Sequence, residues 1–153
     1  MASAPATLER AGILERIPHQ GRMCVLDRLL GWSATEIRCS ASSHRDPANP
    51  LRSASGLLAP AAIEYAAQAM ALHGSLLAGS GGPPGGGHIA SLRQVQFGVT
   101  TLHDVPGALL IFAERLAGDA DVVAYRFEVD DEAGQRLAEG RATVVLHPPE
   151  ARR

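Results

Sequence analysis

One carboxylate stands alone in this chain. Between Arg52 and Arg93 the only Asp, Glu, Lys or Arg is Glu64, and it lies inside GLLAPAAIEYAAQAMALHGSLLA, residues 56–78, which is almost wholly apolar and rich in alanine. A charge removed from water is costly unless it is paired, protonated or faces a cavity. Apolar surroundings also raise a carboxyl pKa, which suits a group that handles protons. Gln68 follows Glu64 by four residues, so on a helix the two share a face. Gln68 is placed to hold the carboxyl or a substrate oxygen; a hydrogen bond across a dimer is the plainer alternative. The plainer reading of Glu64 is an ion pair with an arginine such as Arg93 or Arg22.

The other reactive side chains are scattered. His73, near the end of the same stretch, reads as a satisfied core histidine. His88, His103 and His147 fall at strand starts or turns and carry no signal. No pair of histidines or cysteines has zinc-site spacing, so no metal is expected. Cys24 and Cys39 are too few for a disulfide framework and read as buried free thiols of a cytoplasmic protein. Ser53 and Ser55 have no His–Asp pattern beside them, so helix capping is their expected role. The run GSGGPPGGG, residues 79–87, lacks the strand, helix and Lys-Ser/Thr of a phosphate-binding loop, and is expected to be a flexible surface loop.

The elements that must position Glu64 follow from the apolar pattern. Residues 56–78 read as one helix buried on all sides, with Pro60 in its first turn and Gly74 or Gly79 at its end. Thr7–Arg16 reads as a short amphipathic helix stopped by Pro18. Met23–Trp32 and Thr35–Ser42 read as two strands joined at Ser33-Ala34. Four more follow over His88–Thr100, Ala108–Leu116, Val122–Asp130 and Gln135–Leu146. Strands in runs beside one buried helix predict an α+β domain with an antiparallel sheet. Such a sheet covers a helix on one side only, so a homodimer is expected. The domain should span residues 6–148, with loose ends at 1–5 and 149–153.

Composition narrows the classes. A net charge of −2, with no basic block, gives no case for binding nucleic acid or an anionic membrane. The start of the chain lacks the pattern of a signal peptide. Glu64, Gln68 and His73 interrupt the apolar run, and alanine dominates it, which argues against a membrane span.

Several segments together resemble a known family. IPHQGRMCVLDRLLGW (17–32), Ile63-Glu64-Tyr65-Ala66-Ala67-Gln68-Ala69, IASLRQVQFGVT with Asp104-Val105-Pro106-Gly107, and AEGRATVVL are similar to segments of the hotdog-fold (3R)-hydroxyacyl-ACP dehydratases. The nearest likeness is to the divergent dehydratase-like proteins of aryl-polyene gene clusters. The resemblance covers about residues 8–147. It implies a hotdog fold, an antiparallel sheet wrapped around one long central helix. It implies a 3-hydroxyacyl thioester as substrate, carried on the phosphopantetheine of acyl carrier protein or coenzyme A, with no other cofactor.

In those enzymes an acid and a histidine share the elimination of water, and a backbone N–H at the helix start polarises the thioester carbonyl. The resemblance thus makes Glu64 the acid/base, kept protonated by its apolar site. Standard members carry Gly-His-Phe-Pro ahead of the helix; here that loop reads SHRDPANPLRSASG. Its one histidine, His44, is the expected partner of Glu64, with a solvated histidine beside Arg45 and Asp46 as the alternative. His19 is expected to pack near the substrate tunnel or fix a turn. Gly56 and Leu57 are expected to offer the carbonyl-binding N–H. Two rival functions remain at this level: a hotdog acyl-thioesterase, and a non-catalytic acyl-binding or partner subunit of a biosynthetic complex.

Overall fold

A computed structural model describes residues 4–79 and 86–147. Most of the glycine-rich run, residues 80–85, and the extreme termini lie outside the described residues.

The strands are β1 (Arg28–Trp32), β2 (Glu36–Ala41), β3 (Gly86–Phe97), β4 (Leu109–Gly118), β5 (Val122–Asp130) and β6 (Arg136–His147). They form one sheet in the order β1-β2-β4-β5-β6-β3, antiparallel throughout. The helices are α1 (Arg10–Leu14) and α2 (Ala62–Ala78). This is the expected hotdog arrangement.

Period-two alternation decides which sheet face holds the core. In β5, Val123, Tyr125, Phe127 and Val129 are buried, while Arg126, Glu128 and Asp130 face outward. In β2, Ile37, Cys39 and Ala41 are the buried set. Against this face α2 buries Ala62, Tyr65, Ala66, Gln68, Ala69, Met70, Leu72, His73 and Leu76. Alanine at Ala62, Ala66 and Ala69 lets the helix lie close to the sheet. On its other side Ile63, Glu64, Ala67, Ala71 and Gly74 are only partly covered, so the helix is not buried all round within one chain.

Three local expectations change. The first strand begins at Arg28, not Met23. Residues Gly21–Met23 form a 3-10 turn, and the Gln68 side chain takes both the Val25 N–H and the Met23 carbonyl. Backbone groups used by a side chain cannot join a ladder. The long helix begins with a 3-10 turn, Ala59–Ala61, containing Pro60, and only then becomes α-helical. Neither Ser53 nor Ser55 caps it: Ser53 Oγ donates to the Gly56 carbonyl and accepts from the Ser55 N–H. Gly79, at φ +83°, ends α2 as expected.

His73 is the satisfied core histidine its position suggested. Its Nε2–H donates to the Ser33 carbonyl at 2.8 Å, so its Nδ1 accepts from the Tyr125 hydroxyl at 2.7 Å. Burial, outweighing the Ser33 contact, holds its pKa below the ordinary value. The unfolded chain therefore takes up this proton more readily than the folded one. The associated stability is full above about pH 6.5 and is lost as pH falls below that value. The urea midpoint is expected to decline between pH 7.5 and 5, and the decline to be shallower in His73→Leu.

Candidate active site

Glu64 occupies the first turn of α2. One turn on, Gln68 is fully buried and its amide is oriented by the backbone. Gln68 Oε1 accepts from the Val25 N–H at 2.9 Å, so its Nε2 is the donor to the Met23 carbonyl at 2.7 Å. The same Nε2 donates to Glu64 Oε1 at 2.9 Å. The expected Glu64–Gln68 contact is thus present, and it ties the helix to the segment that leads into β1.

The histidine beside Glu64 is His19. Its Nε2 stands 3.3 Å from Glu64 Oε1, with the two side chains 27% and 32% exposed. The turn after α1 places it there. Ile17 is buried, and Gln20 Nε2 donates to the carbonyls of Leu14 and Ile17, closing the chain around Pro18 and His19. His19 Nδ1 is buried and has no hydrogen-bond partner among the described residues. Both side chains are partly exposed, so the pair is reachable from solvent, whereas Tyr65, Ala66 and Gln68 beside it are buried.

The electrostatics reverse one expectation. Burial pushes the Glu64 carboxyl up, but the hydrogen bonds from His19 and Gln68, with the His19 charge, together hold it below the usual carboxylate range. Its place in the first turn, at the positive end of the helix dipole, acts in the same direction. Glu64 is therefore a carboxylate at neutral pH, a form that can accept a proton and not donate one. The apolar sequence around it pointed to the opposite protonation state because the His19 contact spans 45 residues of chain.

His44 goes elsewhere. It is fully buried, and its Nε2–H donates to the Val105 carbonyl at 3.0 Å. Burial is the main reason its pKa is lowered. Its Nδ1 has no hydrogen-bond partner among the described residues. The structure does not bring His44 to Glu64; it uses the ring to tie the loop after β2 to the turn before β4. The solvated alternative fails equally.

The helix-entry N–H groups are also occupied. The Gly56 N–H donates to the Ser53 carbonyl at 3.0 Å, and the Leu57 N–H donates to His103 Nδ1 at 3.1 Å. Gly56 has φ +95°, and a side chain there would collide with the His103 ring. His103, which carried no sequence signal, thus fastens the helix entry. Loss of its acceptor in His103→Ala is expected to cost about 1 kcal/mol, read from the urea midpoint. Gly56 and Leu57 bind a carbonyl only if these bonds open.

A second buried network sits below the site. Tyr65 Oη lies 2.7 Å from Ser43 Oγ and accepts from Asn49 Nδ2 at 3.1 Å. Sequence reading missed it because the three residues are polar in a loop and a helix with no motif. The arginine alternatives for Glu64 do not hold: Arg22 pairs with Asp46 at 3.7 Å, and Arg93 lies on the outer sheet face. Cys24 and Cys39 are free and buried, the Cys39 thiol pushed up to about 12 by burial. Among the described residues there is no group of three metal-ligating side chains and no helix long and apolar enough to cross a membrane.

Comparison with known proteins places the chain in a family. No curated protein matches the sequence. Among solved structures, the dehydratase heterocomplex ApeI:P from Xenorhabdus doucetiae is similar at TM-score 0.78 and 22% identity, covering 90% of this chain and 91% of that one. A mutant thioesterase from Staphylococcus aureus subsp. aureus Mu50 is similar at TM-score 0.56 and 13% identity, over 78% and 92% of the two chains. A thioesterase from Haemophilus influenzae gives 0.58 and 11%, over 84% and 82%. At these identities the likeness is one of fold. A family profile described as ApeP-like, ApeP dehydratase, matches residues 12–153, and the chain belongs to that ApeP-like dehydratase family.

Proposed function

We propose that this chain acts on a 3-hydroxyacyl thioester, removing water to give the 2-enoyl thioester. The observation that carries the proposal is the Glu64–His19 pair at 3.3 Å, partly exposed and braced by Gln68. The pair works while holding one proton. Glu64 takes the proton from the α-carbon, and the C–H electrons form the new double bond. The β C–O bond breaks, and the leaving oxygen takes the His19 proton and departs as water. The pair then resets by moving one proton from Glu64 back to His19. Gln68 keeps the carboxylate aimed throughout.

In this reading the substrate is carried on the phosphopantetheine of acyl carrier protein or on coenzyme A, and no further cofactor takes part. The setting is fatty-acid-like or aryl-polyene lipid biosynthesis in the cytoplasm. The ApeI:P likeness supports assembly with a second subunit; a homodimer, or a larger assembly of this chain, is the alternative. Sedimentation of the chain alone separates a homodimer from a monomer awaiting a partner.

One observation favours a second reaction. An ionised Glu64 also suits activation of water against the thioester carbonyl, which is the chemistry of a thioesterase. One assay divides the readings. A 2-enoyl thioester is offered on coenzyme A and on acyl carrier protein, and both enoyl absorbance and free thiol are followed. Loss of enoyl absorbance without thiol supports the dehydratase, run in reverse. Thiol release supports the thioesterase. Tight binding with neither product leaves an acyl-binding partner subunit.

A further inference from the structure

The outer face of the sheet carries a row of charges that the site does not use. Residues directly opposite across antiparallel strands share a face. One such row, starting from β2, reads Glu36, Glu114, Arg126, Arg141 and Arg93. The next row on the core side is buried at Ile37, Ala113 and Phe127, so this one faces solvent. It is divided by sign, with carboxylates at the β2 end and three guanidinium groups towards the β3 edge.

The carboxylates near the basic end are already engaged. Arg126 pairs with Glu114 at 2.6 Å and Glu128 at 3.0 Å. Arg136 pairs with Glu128 at 3.2 Å and Glu139 at 3.6 Å, and also with Asp130. Arg141 and Arg93 remain, directly opposite each other, both exposed, and neither forms an ion pair with a described residue. Like charges so placed are destabilising.

The backbone beside them is unusual too. The β3–β6 register shifts between Arg93 and Gln96, and Gln94 sits at φ +54°. A non-glycine residue in the left-handed region is uncommon and carries strain. Beside the bulge lies a cleft of about 330 Å³ lined by Gln94, Gln96, Arg126, Glu128, Glu139 and Arg141. Two amides of the edge strand β3 and the Arg141 guanidinium of β6 line it, and Arg93 stands beside it on β3, directly opposite Arg141.

We propose that Arg93 and Arg141, with the bulged Gln94–Gln96 segment, form a docking site for an acidic segment of a partner protein. Charge complementarity selects the occupant. Two carboxylates a few residues apart would meet the two arginines, while Gln94 and Gln96 donate to the segment. A long polyanion is disfavoured because Glu128 and Glu139 line the same cleft and Glu114 and Glu36 continue the row. The site stands apart from Glu64 and does not depend on the reaction assigned there.

The test is fluorescence anisotropy with a labelled octaglutamate peptide at about 20 mM salt. The native chain is expected to bind, with affinity falling as salt rises to about 200 mM. The double variant Arg93→Gln/Arg141→Gln should weaken binding at least tenfold without lowering the melting temperature. Arg38→Gln, which removes one positive charge from the far end of the same face, should leave binding unchanged. Absence of peptide binding by the native chain overturns the proposal, as does equal weakening by Arg38→Gln. Preferential binding of an oligothymidylate of equal charge overturns it in favour of nucleic acid. Self-association of the native chain that the double variant abolishes assigns the face to a second copy instead.

Discussion

Glu64→Gln is expected to lower the rate of enoyl-thioester hydration by about 10² to 10⁴-fold, the usual contribution of a positioned acid or base. The substitution keeps the shape of the side chain. The new amide oxygen can still accept from Gln68, so α2 and its tie to the β1 lead-in should survive. What is lost is the capacity to take and return a proton. The informative result is therefore a chain with native circular dichroism and native oligomeric state that no longer turns over. Equal activity in the variant would remove Glu64 from the chemistry, and with it both the dehydratase and the thioesterase readings.

Gln68→Leu is expected to be the costliest single change to the fold near the site. Gln68 is fully buried and makes three hydrogen bonds, to Val25, Met23 and Glu64. Leucine fills a similar volume but leaves the Val25 N–H and the Met23 carbonyl without these partners. The buried Val25 N–H left unsatisfied costs about 1–3 kcal/mol, and the part-buried Met23 carbonyl adds less. The urea midpoint reads it. The carboxylate also loses a donor that stabilises its charged form, so the Glu64 pKa should move up, towards the ordinary range. Activity should fall with it, and the acid limb of the pH profile should move to higher pH.

These two residues also show how far the sequence could be read. Glu64 and Gln68 were legible because local features mark them: a lone charge in an apolar run, and a spacing of four on a helix. Strand β5 was legible to its ends because its alternation is uninterrupted and turns bound it. The partner histidine was not legible. His44 lay nearer in the chain and in the expected loop, yet Val105 claims its ring, while His19 reaches Glu64 through the fold of the Leu14–Gln20 turn. No local pattern encodes a contact made over that separation. The shortened first strand has the same origin, since its pairing groups are taken by Gln68 from another element. The protonation state of Glu64 followed from the partner: apolar neighbours argue for a raised pKa, and only the His19 and Gln68 hydrogen bonds reverse it. His103 was passed over because a histidine in a turn has no signature until the Leu57 N–H is seen to point at it.

The most direct measurement is the pH profile of enoyl-thioester hydration for the native protein and for His19→Asn. A pair that works while holding one proton loses activity when fully protonated and when fully deprotonated, so the native profile should be bell-shaped. At its maximum, His19→Asn should be slower by about 100-fold or more. A profile that keeps rising into acid, as a lone protonated carboxyl would give, or a His19→Asn protein with native rates across the range, would contradict the pairing of Glu64 with His19.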